Sequence, residues 1–296
     1  MVSSPTSAPA TSSSAGTLAL VFPGQGSQTP DMGEIVRRAC PHLAVLAERL
    51  SGRDPFSSYA EGTRFLQPAI YTASIAHWTE RGAPEAGWLA GHSLGEISAL
   101  AAAGSLSVED GLRLVITRGR AMQRAARSAP EPGGMLAVAA DMATCEELAE
   151  RHGAQVANDN APDQVVLSGP RSALQALRKD ARAAKVKAVM LPVEGALHSS
   201  AMQPAVAEFE HAIREIDFSP PRVPVFSCVT AEPIEDIPAQ LVQSLTSRVR
   251  WREIVMRMRE RGVERFSEVG PGAVLSGLIR RTLGSDSVVP VRGAGA

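Results

Sequence analysis

The sequence predicts an α/β fold: a large body built on a parallel sheet, interrupted by a small βαββαβ unit. Three observations carry this expectation. Short apolar runs that read as buried strands alternate with helical stretches at both ends of the chain. At Gly91-His92-Ser93-Leu94-Gly95 an apolar run stops and a run of helix formers begins, with the Gly-x-Ser-x-Gly spacing of a strand-turn-helix elbow. Between residues 133 and 193 the order changes to strand, helix, two strands, helix, strand. The expected parts are a disordered tail at 1–16, a large part at 17–132 and 197–293, and a small inserted part at 133–196.

Bulk composition excludes several classes. The 296 residues carry 30 basic and 31 acidic side chains, so net charge gives no reason to expect nucleic acid or an anionic membrane. No apolar run approaches the ~20 residues of a membrane span. Cys40, Cys145 and Cys228 are scattered and lack metal-type spacing, which suits buried thiols in a reducing, cytoplasmic setting. Residues 1–16 are nearly all Ser, Thr, Ala, Pro and Gly, without the charged and apolar regions of a signal peptide.

Taken in order, Thr17-Leu18-Ala19-Leu20-Val21-Phe22 reads as a first buried strand, ended by Pro23-Gly24-Gln25-Gly26-Ser27-Gln28. The glycines on either side of Gln25 let backbone approach a ligand, but their spacing is not that of a phosphate loop. Helices are expected near 32–50 and 66–81. Trp88-Leu89-Ala90 then leads into the elbow, where each glycine lets other backbone pass a strained turn. Ser93 stands at its tip, as in α/β-hydrolase-like bodies. Ser107-Val108-Glu109-Asp110 resembles a capping box and opens a helix through Arg118, Arg120 and Met122. A basic residue late in a helix is ordinarily a solvated end, and Arg118 fits that reading or a functional one equally.

The small part reads as strand 135–140, helix 142–152, strands 154–158 and 164–168 around a turn at 159–162, helix 171–184 and strand 187–193. This is a ferredoxin-like order. The chain leaves it through Gly195-Ala196-Leu197-His198 into a helix reaching about residue 216, which puts His198 at a domain junction. His42, His77, His152 and His211 fall inside helical patterns, and His92 should point away from Ser93. The remainder returns to strand 223–226, helix 238–245, a turn at Val249-Arg250-Trp251 into a helix, strand 265–269 and a last helix 274–283.

These motifs together resemble the malonyl-CoA:acyl carrier protein transacylases and related acyltransferases of fatty-acid and polyketide synthesis. The resemblance runs from about residue 18 to 291. It rests on five ordered motifs: Phe22-Pro23-Gly24-Gln25-Gly26-Ser27-Gln28, Gly91-His92-Ser93-Leu94-Gly95-Glu96, Arg118-Gly119-Arg120-Ala121-Met122, Gly195-Ala196-Leu197-His198 and Glu268-Val269-Gly270-Pro271-Gly272. It implies Ser93 as nucleophile, His198 as its base, and the backbone N–H groups of Gln25 and Leu94 as an oxyanion hole. It further implies that Arg118 grips the free carboxylate of a malonyl-type acyl group, and that a backbone carbonyl near Arg250 orients His198. Leu197 would shape the acyl pocket where relatives often carry phenylalanine or serine. Arg250 stands in place of a common glutamine, and Cys228 where asparagine is frequent.

The implied partners are a CoA thioester and a phosphopantetheinylated acyl carrier protein, with no metal or redox cofactor. Carrier proteins are acidic, so a local basic rim is expected. Its candidates are Arg248, Arg250 and Arg252, or Arg280 and Arg281, or Lys179, Arg182, Lys185 and Lys187. Transfer between two carrier proteins, a serine hydrolase of acyl thioesters, and an inactive docking scaffold are the competing functions.

Overall fold

The computed structural model describes residues 17–290, so the tail expected at 1–16 and the last residues of the expected large part lie outside the described residues. The described strands are β1 (Leu18–Phe22), β2 (Trp88–Gly91), β3 (Gly133–Val138), β4 (Gln155–Ala161), β5 (Gln164–Pro170), β6 (Ala188–Met190), β7 (Val225–Phe226) and β8 (Arg265–Glu268). They form two four-stranded sheets.

The first sheet has the order β7-β2-β1-β8, and every neighbouring pair is parallel. β1, β2 and β7 read as apolar runs because both faces of the sheet are covered, whereas the edge strand β8 (Arg265-Phe266-Ser267-Glu268) is polar at both ends. Along β1, Leu20 and Phe22 enter one buried cluster, while Ala19 and Val21 enter another on the opposite face. That alternation is the strand period of two turned into two cores. Parallel strands also bring their carboxyl ends to one edge, where open α/β sheets place ligands. The loops at 23–28, 92–94, 227–229 and 269–272 all follow strands of this sheet.

The second sheet has the order β4-β5-β3-β6 and is antiparallel throughout. The helices Met142–His152 and Arg171–Ala183 pack on it around Leu136, Val138, Leu148, Leu167, Leu174 and Leu177. This is the ferredoxin-like arrangement of a βαββαβ segment. Backbone also ties the second sheet to the segment just ahead of the helix Trp251–Glu260. Val249 N–H donates to Ala157 O at 2.8 Å, and Asp159 N–H donates to Val249 O at 2.9 Å. Beside them the Arg252 guanidinium forks onto the buried Asp159 carboxylate, Nε and Nη2 each at 2.9 Å.

Several expected boundaries move. The helix expected at 32–50 is two helices, Met32–Ala39 and Pro41–Ser51, broken at Cys40 (φ −140°). Pro41 has no N–H to continue the first ladder and pushes its predecessor out of helical geometry. The helix expected at 66–81 starts earlier, as Thr63–Glu80. The turn expected at 159–162 is a strand: β4 runs to Ala161, and only Pro162 and Asp163 separate it from β5. β6 is also shorter than expected, because the chain leaves the sheet after Met190. Among the described residues no helix is long and apolar enough to cross a membrane.

Candidate active site

β2 ends at Gly91, Ser93 takes φ +54°, and the helix Gly95–Ala102 begins two residues later. A Cβ on Gly91 would lie 1.9 Å from the Gly95 carbonyl carbon, and one on Gly95 would lie 2.0 Å from Phe22 O. Neither position admits any side chain, which is the steric content of Gly-x-Ser-x-Gly. A positive φ costs a non-glycine residue about 1–3 kcal/mol and persists only where the surroundings impose it. Five described non-glycine residues have it, and two of them are Ser93 and His198 (φ +56°).

Those two side chains meet across the sheet edge. Ser93 Oγ lies 2.7 Å from His198 Nε2, although 105 residues separate them. His198 Nδ1 lies 2.9 Å from Ser244 O. A carbonyl can only accept, so Nδ1 carries the ring proton and Nε2 is free to accept from the Ser93 hydroxyl. Here the expectation for Arg250 is corrected. The carbonyl that orients His198 belongs to Ser244, just after the helix Ile237–Gln243, whose last carbonyls lack intrahelical partners. Arg250 instead starts the helix Trp251–Glu260, its N–H on Cys228 O at 3.1 Å and its side chain paired with Glu253.

Arg118 is not a solvated helix end. It lies mid-way along the helix Val108–Ser128, 2 % exposed, with Nη1 on Gln67 Oε1 at 3.0 Å and Nη2 on Ser93 Oγ at 3.1 Å. Burial lowers its pKa to about 10, with Glu96 opposing, so it remains a cation at neutral pH. His198 is lowered to about 3, chiefly by burial, then by the Arg118 charge and by His92. The histidine is therefore neutral and able to accept a proton across the physiological range.

Gln25, Ser93, Arg118, Leu197 and His198 all line one cavity of about 210 Å³. Its walls include Met122, Met135, Val166, Leu191, Val193 and Leu278, so it is mainly apolar around a few convergent polar groups. Leu94 is buried at the start of the elbow helix, where the first N–H groups have no intrahelical acceptor. His92 does not point out of the site as expected. Its Nε2–H donates to Asn160 Oδ1 at 2.9 Å, and its ring lines the same cavity. The opposite-face rule for neighbouring side chains belongs to extended backbone, and Ser93 at φ +54° turns the chain out of it.

Sequence reasoning missed Gln67, Asn158 and Asn160. Asn158 and Asn160 lie on the bulged strand β4 and line the cavity, while Asp159 between them turns to Arg252. Their signal was period-two alternation, hidden by reading the segment as a turn. Gln67, fully buried in an otherwise apolar helical stretch, was a polar group in need of a partner. Glu268 of the last motif caps the final helix, accepting from Leu275 and Ser276 N–H at 3.0 and 2.7 Å. Among the described residues no group of three or more His, Cys, Asp or Glu could hold a metal ion.

Fold and site define an α/β protein with a part-buried serine on a buried histidine at an elbow and a buried arginine beside them. The chain belongs to the acyl transferase domain family, which matches residues 53–295. It is 39% identical over 282 residues to the polyketide biosynthesis protein ThaF of Burkholderia thailandensis, covering 90% of this chain but 24% of that one. It is 36% identical to the polyketide biosynthesis malonyl CoA-acyl carrier protein transacylase PksC of Bacillus subtilis, covering 88% and 95%. The malonyl CoA-acyl carrier protein transacylase of Escherichia coli K12 is 37% identical, with 89% and 92% covered. Among solved structures, the malonyl CoA-acyl carrier protein transacylase of Coxiella burnetii superposes with TM-score 0.85 at 32% identity, covering 93% of each chain.

Proposed function

We propose that this chain is a malonyl-CoA:acyl carrier protein transacylase supplying fatty-acid or polyketide synthesis in the cytoplasm. The observation that carries the reading is Arg118: a buried cation bonded to the nucleophile's own oxygen. A buried charge of this kind costs free energy unless a partner charge arrives. The free carboxylate of a malonyl group is such a partner.

Ser93 Oγ attacks the thioester carbonyl while its proton passes to His198 Nε2. The oxyanion is held by the Leu94 and Gln25 N–H groups, each worth about 3 kcal/mol at the transition state. CoA leaves as the thiol, taking the proton from His198. The phosphopantetheine thiol of the carrier protein then gives its proton to His198 and attacks the ester carbonyl, and His198 returns that proton to Ser93 Oγ as the serine leaves. Neither half uses a metal or redox group. Leu197 and the apolar wall contact the acyl chain, and Gln67 holds the Arg118 fork. The small antiparallel part, residues 133–196, closes the other side of the cleft.

Incubation with labelled malonyl-CoA, then with holo carrier protein, tests this directly. Label should appear on the protein and move to the carrier. Release as free malonate without a carrier would make the protein a hydrolase instead. Hydrolases of this kind commonly set a carboxylate behind the histidine, and Ser244 O occupies that position here.

The acidity of His198 gives a second test. An ordinary histidine would protonate near 6.5 and lose activity below that pH. Since His198 is held near 3, malonyl transfer to Ser93 measured as kcat/KM should stay level from pH 8 to pH 5. Repeating it with Glu96→Gln removes the nearby carboxyl that titrates at about 7, while burial lowers the neighbouring His92 imidazole below its usual range. A fall centred on 6.5 in that variant would overturn the assignment. The same depression means that stability from keeping His198 neutral is complete above 6.5 and is lost as pH falls toward 3.

The carrier surface can also be narrowed. Arg248, Arg250, Arg252 and Arg281 are engaged by Glu146, Glu253, Asp159 and Asp163. Among the described residues Lys179, Arg182, Lys185 and Lys187 are exposed and make no ion pair, and they lie on and just after the helix Arg171–Ala183, ahead of β6 and of Leu191 and Val193 in the cavity wall. Reversing Lys179, Arg182 and Lys185 to Glu should raise the KM for carrier protein severalfold and weaken its salt dependence. Ser93 loading from malonyl-CoA should be unaffected. Loss of both half-reactions together would place docking elsewhere.

A further inference from the structure

The elbow leaves two backbone groups needing partners beneath the nucleophile. They are the Gly91 carbonyl, at the end of β2, and the Ser93 N–H, in the strained turn. One side chain satisfies both. Cys228 Sγ donates to Gly91 O at 2.9 Å and accepts from Ser93 N–H at 3.3 Å. Cys228 follows β7, the strand beside β2, and is 1 % exposed.

The cysteine is itself held on both sides. Its N–H donates to Glu96 Oε2 at 3.3 Å, and its carbonyl accepts from Arg250 N–H at 3.1 Å. Glu96 is fully buried on the elbow helix, and its other oxygen has no hydrogen-bond partner among the described residues. Burial and the neighbouring carboxyl push the Cys228 thiol well above its usual range, so it keeps the proton it donates. The sulfur faces backbone and Glu96 and does not line the substrate cavity. It therefore acts on the reaction only through Ser93.

We infer that Cys228 is a positioning residue for the transfer reaction, its thiol serving as joint donor and acceptor that holds Ser93 and Gly91 in the reactive turn. The inference rests on the acyl-enzyme reading above. It assigns to Cys228 a hydrogen-bonding role, not a volume-filling one, and the two are separable. Valine is somewhat larger than cysteine and alanine smaller, and neither can make either bond. Serine is smaller and can make both, and asparagine supplies an amide donor and a carbonyl acceptor.

The experiment measures single-turnover acylation of Ser93 by malonyl-CoA, over a range of malonyl-CoA concentrations, for wild type and for Cys228→Val, Cys228→Ala, Cys228→Ser and Cys228→Asn. Thermal unfolding is followed in parallel. The valine and alanine proteins should lose about ten- to hundredfold in the maximal acylation rate, the equivalent of one buried hydrogen bond lost. Their half-saturating malonyl-CoA concentration should stay within about twofold of wild type. Serine or asparagine should recover most of the rate. If Cys228→Val acylates at the wild-type rate, or if the rates follow side-chain volume so that serine is as slow as alanine, the inference is wrong. Should the valine protein not fold, the alanine and serine pair decides the same question. Absence of acylation in the wild type would instead refute the transferase reading itself.

Discussion

Ser93→Ala should yield no malonyl adduct when the protein is mixed with malonyl-CoA, so that intact-mass spectra show the unmodified mass only. His198→Ala should fold normally but acylate slower by a factor on the order of 10⁴ or more, the range seen when one member of a nucleophile-base pair is removed. The geometry explains why the two effects are coupled. Ser93 Oγ has a single proton, and His198 Nε2 at 2.7 Å is the acceptor in line for it, because Ser244 O holds the ring's other nitrogen in the protonated form. Both residues sit at positive φ, so the protein imposes their approach. An adduct on another residue of the Ser93→Ala protein would sink the assignment of the nucleophile.

The second large effect is on selectivity. Arg118→Ala should turn a preference for malonyl-CoA into one for acetyl-CoA. Removing one partner of a buried charge pair costs about 3–5 kcal/mol, or roughly 10² to 10³-fold in rate, whereas a neutral acetyl group loses no such pair. The structure adds a second reason to expect the shift. In the free protein the Arg118 fork already rests on Gln67 and on Ser93 Oγ, so a carboxylate arriving at the serine finds the donors in place. Acylation rates with both thioesters settle the matter. An unchanged malonyl-to-acetyl ratio would return Arg118 to a structural role.

The chain order of the motifs made most of this legible. The loops after β1, β2 and β8 carry three of the five motifs, because parallel strands deliver their carboxyl ends to one edge and the site must be built there. Gly91 and Gly95 could be read directly, since a position that admits no Cβ leaves glycine as the sole choice. The small antiparallel sheet followed from the order of its apolar runs. Local rules failed where two competed, as at Cys40-Pro41, and where a bulged strand resembled a turn, as at Asn158–Ala161.

By itself, then, the sequence determined the fold class and the elbow with Ser93 at its tip, because these follow from apolar patterning and local sterics, while His198 and Arg118 became candidates through the ordered motifs that carry the family resemblance. Only the tertiary structure decided which carbonyl orients the histidine and whether Arg118 is buried or solvated. It alone also decided what lies beneath the elbow. Ser244 O, the Gln67 amide and the Cys228 thiol reach the site from segments 46 to 137 residues from their partners. Such contacts depend on how layers stack, and a hydrogen bond is set by distances of a few tenths of an ångström that no one-dimensional pattern encodes.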